Sequence, residues 1–192
     1  MSARLVLLGP PGAGKGTQAA RLAEELGVPA ISTGDIFRAN IKGGTELGRT
    51  AQEYSARGAL VPDSVTNAMV RDRLAQDDVT NGFLLDGYPR NAAQVEELDA
   101  ILADQGRALD LAVEITADPE VVVERLLKRA EIEGREDDTE DVVRHRLDVY
   151  AEQTAPISQL YADRGLLAQV DGIGEVDDVT RRLVAAIGSL AR

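Results

Sequence analysis

Gly9-Pro10-Pro11-Gly12-Ala13-Gly14-Lys15-Gly16-Thr17 lies between a short apolar run at residues 5–8 and a segment, 14–26, whose Ala19, Ala20, Leu22, Ala23 and Leu26 recur at helical spacing. A Gly-x-x-x-x-Gly-Lys sequence that ends a strand and opens a helix reads as a phosphate-binding loop. Its glycines let successive backbone N–H groups turn inward as a nest for phosphate oxygens. The helix N-terminus adds partial positive charge, and Lys15 adds a full one. In this chain Gly16 directly follows Lys15 and the hydroxyl arrives one place later, at Thr17. That departs from the usual magnesium-ligating position of such loops.

Outward from the loop, short apolar runs alternate with helical patterns. Strands are predicted at 5–8, 29–32, 83–86, 111–115 and 166–170. Helices are predicted at 14–26, 33–41, 45–57, 63–75, 91–105, 119–129, 141–153, 156–164 and 175–190, with Gly27 ending the first and Pro156 breaking the pattern near the end. Strand–helix alternation implies a parallel sheet with helices on both faces. Two stretches leave that rhythm: the helix-only segment 32–61 and the polar 130–139. Neither is long enough for its own core, so both are expected to be flaps on one domain.

Composition bounds the function. The 192 residues carry 21 Lys+Arg against 33 Asp+Glu, a formal charge of −12, with no Cys, no Trp and one His. A disulfide framework, a thiol nucleophile and Cys-ligated zinc are excluded. No apolar run approaches the roughly 18–20 residues that span a bilayer. The opening residues show no signal-peptide cleavage pattern, so a cytoplasmic location is expected. Strong net acidity argues against nucleic-acid or anionic-membrane partners. The cations are 18 Arg and three Lys (Lys15, Lys42 and Lys128). An acidic protein that binds an anion must gather some of these in a pocket, and guanidinium suits bidentate phosphate contact.

Further motifs narrow the reading. Ile31-Ser32-Thr33-Gly34-Asp35-Ile36-Phe37-Arg38 follows the loop, then Leu60-Val61-Pro62, then Leu85-Asp86-Gly87-Tyr88-Pro89-Arg90 with Gln94. Arg125 and Arg129, one helical turn apart, precede Arg135-Glu136-Asp137-Asp138, Arg146 and Val170-Asp171-Gly172. Together with Gly-Lys-Gly-Thr, these resemble, in order and over residues 4–190, the adenylate kinases among the nucleoside monophosphate kinases. The resemblance implies a three-layer phosphate-loop NTPase fold, a five-stranded parallel sheet flanked by helices. It also implies a core of 1–31, 62–127 and 139–192, an AMP-binding flap at 32–61, and a short, zinc-free lid at 128–138.

The resemblance further implies reversible phosphoryl transfer from Mg-ATP to AMP by a monomer, giving two ADP. ATP would be held by Gly12, Ala13, Gly14, Lys15, Gly16, Thr17, Arg125, Arg129 and Gly174. AMP would be held by Thr33, Arg38, backbone of Ala59, Leu60 and Val61, Gly87, Tyr88, Pro89, Arg90, Gln94, Arg135 and Arg146. The groups acting on the transferring phosphoryl would be Lys15, Arg90, Arg129, Arg135 and Arg146. Asp86 would organise Mg²⁺ through water, and Asp137 and Asp138 would orient arginines. Close relatives acting on UMP or CMP tend to carry Ala at the position of Thr33, so Thr33 with Gln94 favours AMP. His145 is expected on the surface. A nucleotide-binding switch would also need a phosphate loop, but not a second arginine set for an acceptor phosphate.

Overall fold

The computed structural model describes residues 3–133 and 139–190. Five parallel strands form one sheet in the order β2-β3-β1-β4-β5. They are β1 (Ala3–Leu8), β2 (Ala30–Ser32), β3 (Gly82–Asp86), β4 (Leu111–Thr116) and β5 (Leu167–Asp171). The three-layer α/β expectation therefore holds. Strand order could not be read from the sequence, because it depends on which strands pair.

Alternation along β1 assigns the two faces of the sheet. Leu5 and Leu7 join Leu22, Leu84, Val113, Val179 and Leu183, under α1 (Lys15–Leu26) and α9 (Val176–Leu190). Val6 and Leu8 join Val70, Leu74, Leu85, Leu98, Ile101 and Tyr161, under α4 (Asp63–Leu74), α5 (Ala92–Asp104) and α8 (Ala155–Asp163). A strand buried on both faces needs a continuous apolar run, which is why Leu5–Leu8 carries no polar residue. The connection after β1 runs toward the β2 edge and the one after β3 runs back past β1 to β4, so the C-terminal strand ends open a crevice where the strand order reverses. The register places Asp86 opposite both Leu7 and Ser32 at that end.

Between β2 and α4 the chain forms α2 (Thr33–Lys42) and α3 (Glu46–Ser55), packed mainly on each other. Ser32 caps α2 by accepting the Asp35 N–H at 3.2 Å, and Thr45 caps α3 by accepting that of Gly48 at 3.0 Å. At Gly48 the two backbones almost touch: a Cβ there would lie 2.1 Å from the Asn40 carbonyl oxygen. Only glycine permits that crossing.

Two helices differ from their predicted extent. The one expected over 119–129 continues as α6 (Pro119–Glu133). Its buried stripe, Val122 and Leu126 against Val143, stops before the helix does, and Ile132 faces solvent. Ala130 and Glu131 extend it by backbone propensity without adding a buried position to give periodicity. The break expected at Pro156 is a widening. After α7 (Glu140–Val149), Tyr150–Thr154 adopts a π-helical turn that runs directly into α8. Proline lacks an N–H and its ring would strike a preceding carbonyl, and a wider turn relieves both problems.

Candidate active site

At the C-terminal end of the sheet a cleft of about 1240 Å³ runs from the phosphate loop to α2 and α3. Among the described residues its charged lining is Lys15, Arg38, Lys42, Arg90, Arg125, Arg129 and Arg146 against Asp35 and Asp86. A protein of net charge −12 thus turns a strongly cationic wall toward one cavity. Residues from five separate stretches of sequence build that wall.

The loop itself turns on glycines in left-handed conformation at the start of a helix. Gly12 and Gly14 have φ of +81° and +94°, and Gly14 directly precedes α1. The Lys15 ammonium bends back and donates to the Gly9 carbonyl at 2.8 Å and to that of Pro10 at 3.0 Å. Loss of hydration pushes its pKa from 10.5 down to about 8; Asp86 opposes this, while Arg90 and Arg129 drive it further down. The Arg90 guanidinium is likewise held below its ordinary value by desolvation, with Arg146 and Arg38 contributing and Asp86 opposing. These couplings knit Lys15, Arg38, Asp86, Arg90, Arg129 and Arg146 into one electrostatic cluster. Concentrated, partly desolvated like charge is costly, and a polyanion is the ligand that relieves it.

Arg90 is positioned by several contacts. Its Nε donates to the Gly87 carbonyl at 2.9 Å, its backbone N–H donates to Gln94 Oε1 at 2.8 Å, and its carbonyl accepts from Thr154 Oγ1 at 2.7 Å. The Tyr88–Pro89 peptide is cis. Thr33 and Gln94 line the cleft although each is 2% exposed. Gly87 has φ of +85°, and a Cβ on it would lie 2.5 Å from Thr33 Oγ1. Arg125 reaches toward the Gly172 carbonyl at 3.4 Å, beside the loop after β5. Arg38 pairs with Asp35 one turn earlier on α2.

Of the residues singled out from sequence, Gly12, Gly14, Gly16, Thr17, Ala59, Leu60, Val61 and Pro89 also line this cleft. Ala13 does not: it is buried, and its N–H closes a turn onto the Pro10 carbonyl at 3.1 Å. Tyr88 is fully buried, its hydroxyl donating to Asn67 Oδ1 at 2.8 Å, so its side chain serves the core. Gly174 stands outside the cleft wall, near the Arg182 guanidinium. Arg135, Asp137 and Asp138 lie outside the described residues. His145 is exposed, as expected.

Sequence reasoning missed Tyr150 and Thr154, which reach the cleft from the π-helical turn. It also missed Asp63, whose Oδ1 accepts from Asn91 Nδ2 at 3.0 Å and from Gln94 Nε2 at 2.8 Å. Only the break at Pro156 hinted at the first pair; nothing local signals the second.

For metal, the described residues contain no group of three His, Cys, Asp or Glu side chains able to cage an ion. Among the described residues, Asp86 is the carboxylate on the cleft wall whose charge acts on Lys15. That suits Mg²⁺, which keeps most of its waters and binds through one or two carboxylates plus substrate phosphates. No helix among the described residues is long and apolar enough to cross a membrane.

Comparison with known proteins places this geometry in context. A family model described as adenylate kinase matches residues 7–166. The adenylate kinase of Kocuria rhizophila is 66% identical over 184 residues, covering 96% of this chain and 98% of that protein. That of Thermobifida fusca is 59% identical over 188 residues, 98% of this chain and 100% of the relative. That of Pseudarthrobacter chlorophenolicus is 60% identical over 184 residues, 96% of each.

Proposed function

The chain belongs to the adenylate kinase family, and from that premise we propose how its own residues carry the reversible transfer of a phosphoryl group from ATP to AMP, giving two ADP. The observation that carries the reading is the shared electrostatic cluster of Lys15, Arg38, Arg90, Arg129 and Arg146 around Asp86 in one cleft.

The nucleophile needs no general base. A phosphate monoester has a second pKa of about 6, so AMP arrives mostly as a dianion at neutral pH. The barrier is the meeting of two polyanions in line, and catalysis is positioning plus charge neutralisation. Lys15 exchanges the Gly9 and Pro10 carbonyls for phosphate oxygens of ATP, joined by the loop N–H groups and Arg129. Arg125 lies along the ATP base beside the loop that carries Gly174. Arg38 and Arg90 bind the AMP phosphate, and Arg146 with Arg135 closes on the transferring group. Thr33 and Gln94, with backbone of residues 59–61, receive the adenine of AMP. Mg²⁺, held through water by Asp86 and by the phosphates, would neutralise charge on ATP.

Residues 32–61 act as the AMP-binding flap and 128–138 as a short lid on the core. The mutual packing of α2 and α3, with few contacts to the sheet, supports a flap that moves as a unit. One chain supplies cations for both phosphate groups, which supports a monomer; a cytoplasmic location fits adenine nucleotides as substrates.

A coupled assay of ADP formation with AMP, UMP, CMP and GMP as acceptors tests the reading. AMP should exceed each of the others by at least about 100-fold in kcat/KM. Equal turnover of UMP or CMP would remove the assignment of Thr33 and Gln94.

A further inference from the structure

We propose that Asp63 is a positioning residue that fixes the polarity of the Gln94 amide, and thereby the choice between a 6-amino and a 6-oxo purine as acceptor. The inference rests on Gln94 receiving the acceptor base.

A glutamine amide has two N–H hydrogens and two carbonyl lone pairs, and rotated by half a turn it offers the reverse pattern in the same place. Free glutamine therefore pairs as readily with one base edge as with its mirror. Here the rotation is blocked. Gln94 Oε1 accepts the backbone N–H of Arg90 at 2.8 Å, and Nε2 donates to Asp63 Oδ1 at 2.8 Å. Reversal would set the amide oxygen against a carboxylate and the NH₂ against an N–H, losing both bonds in a buried place.

Asp63 is itself held. Asn91 Nδ2 donates to the same Oδ1 at 3.0 Å, while Asn91 Oδ1 accepts the Gln94 backbone N–H at 2.9 Å. Each amide orientation follows from a partner that has only one polarity. One N–H and one lone pair of Gln94 then remain for the cleft it lines. Adenine presents N1 as acceptor beside N6–H as donor, and matches them. Hypoxanthine presents N1–H beside O6, and meets donor with donor and acceptor with acceptor. AMP and IMP differ in this edge and have nearly the same shape, so their ratio isolates polarity.

The experiment measures kcat and KM for AMP and IMP in the wild type, Asp63→Ala, Asp63→Leu, Asp63→Asn and Gln94→Ala, with circular dichroism on each. Asp63 is only half-buried at the start of α4, so truncation opens no core cavity. Asp63→Ala and Asp63→Leu should each lower the AMP-to-IMP ratio of kcat/KM at least about tenfold, mainly through KM for AMP, with KM for ATP little changed. Asp63→Asn, whose Oδ1 accepts the same two hydrogen bonds, should restore the ratio to within about threefold of wild type. Should either non-accepting variant lose its native spectrum, the other carries the measurement. A wild-type ratio in a folded Asp63→Ala or Asp63→Leu, alongside a collapsed ratio in Gln94→Ala, overturns the role of Asp63 and leaves that of Gln94 standing. A wild-type ratio in Gln94→Ala overturns both.

Discussion

Thr154 donates its hydroxyl hydrogen to the Arg90 carbonyl at 2.7 Å, joining the π-helical turn before α8 to the loop after β3. These residues are 64 positions apart in sequence. The bond fixes the backbone of an arginine that faces the cleft. Replacement Thr154→Val keeps the shape and leaves that carbonyl unpaired, at a cost of about 1–3 kcal/mol. In a protein of this size that lowers Tm by roughly 2–4 °C per kcal/mol. Thermal unfolding should show the loss, and turnover with AMP should fall several-fold in the same variant. Unchanged melting and turnover would count against the contact.

Arg90, Arg129 and Arg146 are expected to act on phosphate oxygens rather than on the fold. Alanine at each should lower kcat at least about 100-fold, given that an arginine at a transferring phosphoryl group is worth about 10³–10⁵. Lysine should restore little, because an ammonium lacks the planar fork. Far-UV circular dichroism should stay native throughout. Near-normal kcat in any of the three would remove that residue from the reaction.

The pKa of Lys15, lowered to about 8, sets a pH dependence. Phosphate oxygens restore its charge, so binding above that pH must take up a proton. Affinity for ATP should be flat below about pH 8 and fall by up to about tenfold per unit above it. Without ligand, the unfolded chain keeps the Lys15 proton between about 8 and 10.5 and the folded chain does not, so this group adds stability as pH rises through that window. Calorimetry at pH 8.5 in two buffers of different ionisation enthalpy should detect proton uptake in the wild type and none in Lys15→Met.

Gly87→Ala tests how tightly the proposed AMP side is assembled. A Cβ would fall 2.5 Å from Thr33 Oγ1, on backbone with φ of +85°. The conformation alone costs about 1–2 kcal/mol for a residue with a side chain. Thr33 must move, so KM for AMP should rise well before KM for ATP does. Equal effects on both substrates would argue against Thr33 as an AMP contact.

The loop at 9–17 was legible because its chemistry is local: strand, glycines, lysine and helix stand in sequence order. Apolar runs gave the strands for the same reason. Long-range pairing was not legible. Asp63 meets Gln94 across 31 residues, and Thr154 meets Arg90 across 64. No period or propensity encodes either pair. The end of α6 escaped notice because Glu131 and Ile132 are exposed and prolong no buried stripe, and the π-helical turn because Pro156 signals an interruption without saying what form it takes. Side-chain direction was hidden too. Ala13 and Tyr88 stand within site motifs but are turned into the interior.

A crystal structure with two adenosines joined through five phosphates tests the convergence of cations most directly. The Lys15 ammonium and the guanidinium groups of Arg38, Arg90, Arg129 and Arg146 should lie at about 2.7–3.0 Å from oxygens of that one phosphate chain. The same map would locate Arg135, which belongs to the proposed set. Density showing the ligand bound with these arginines turned to solvent, or bound away from Lys15, would contradict the assignment.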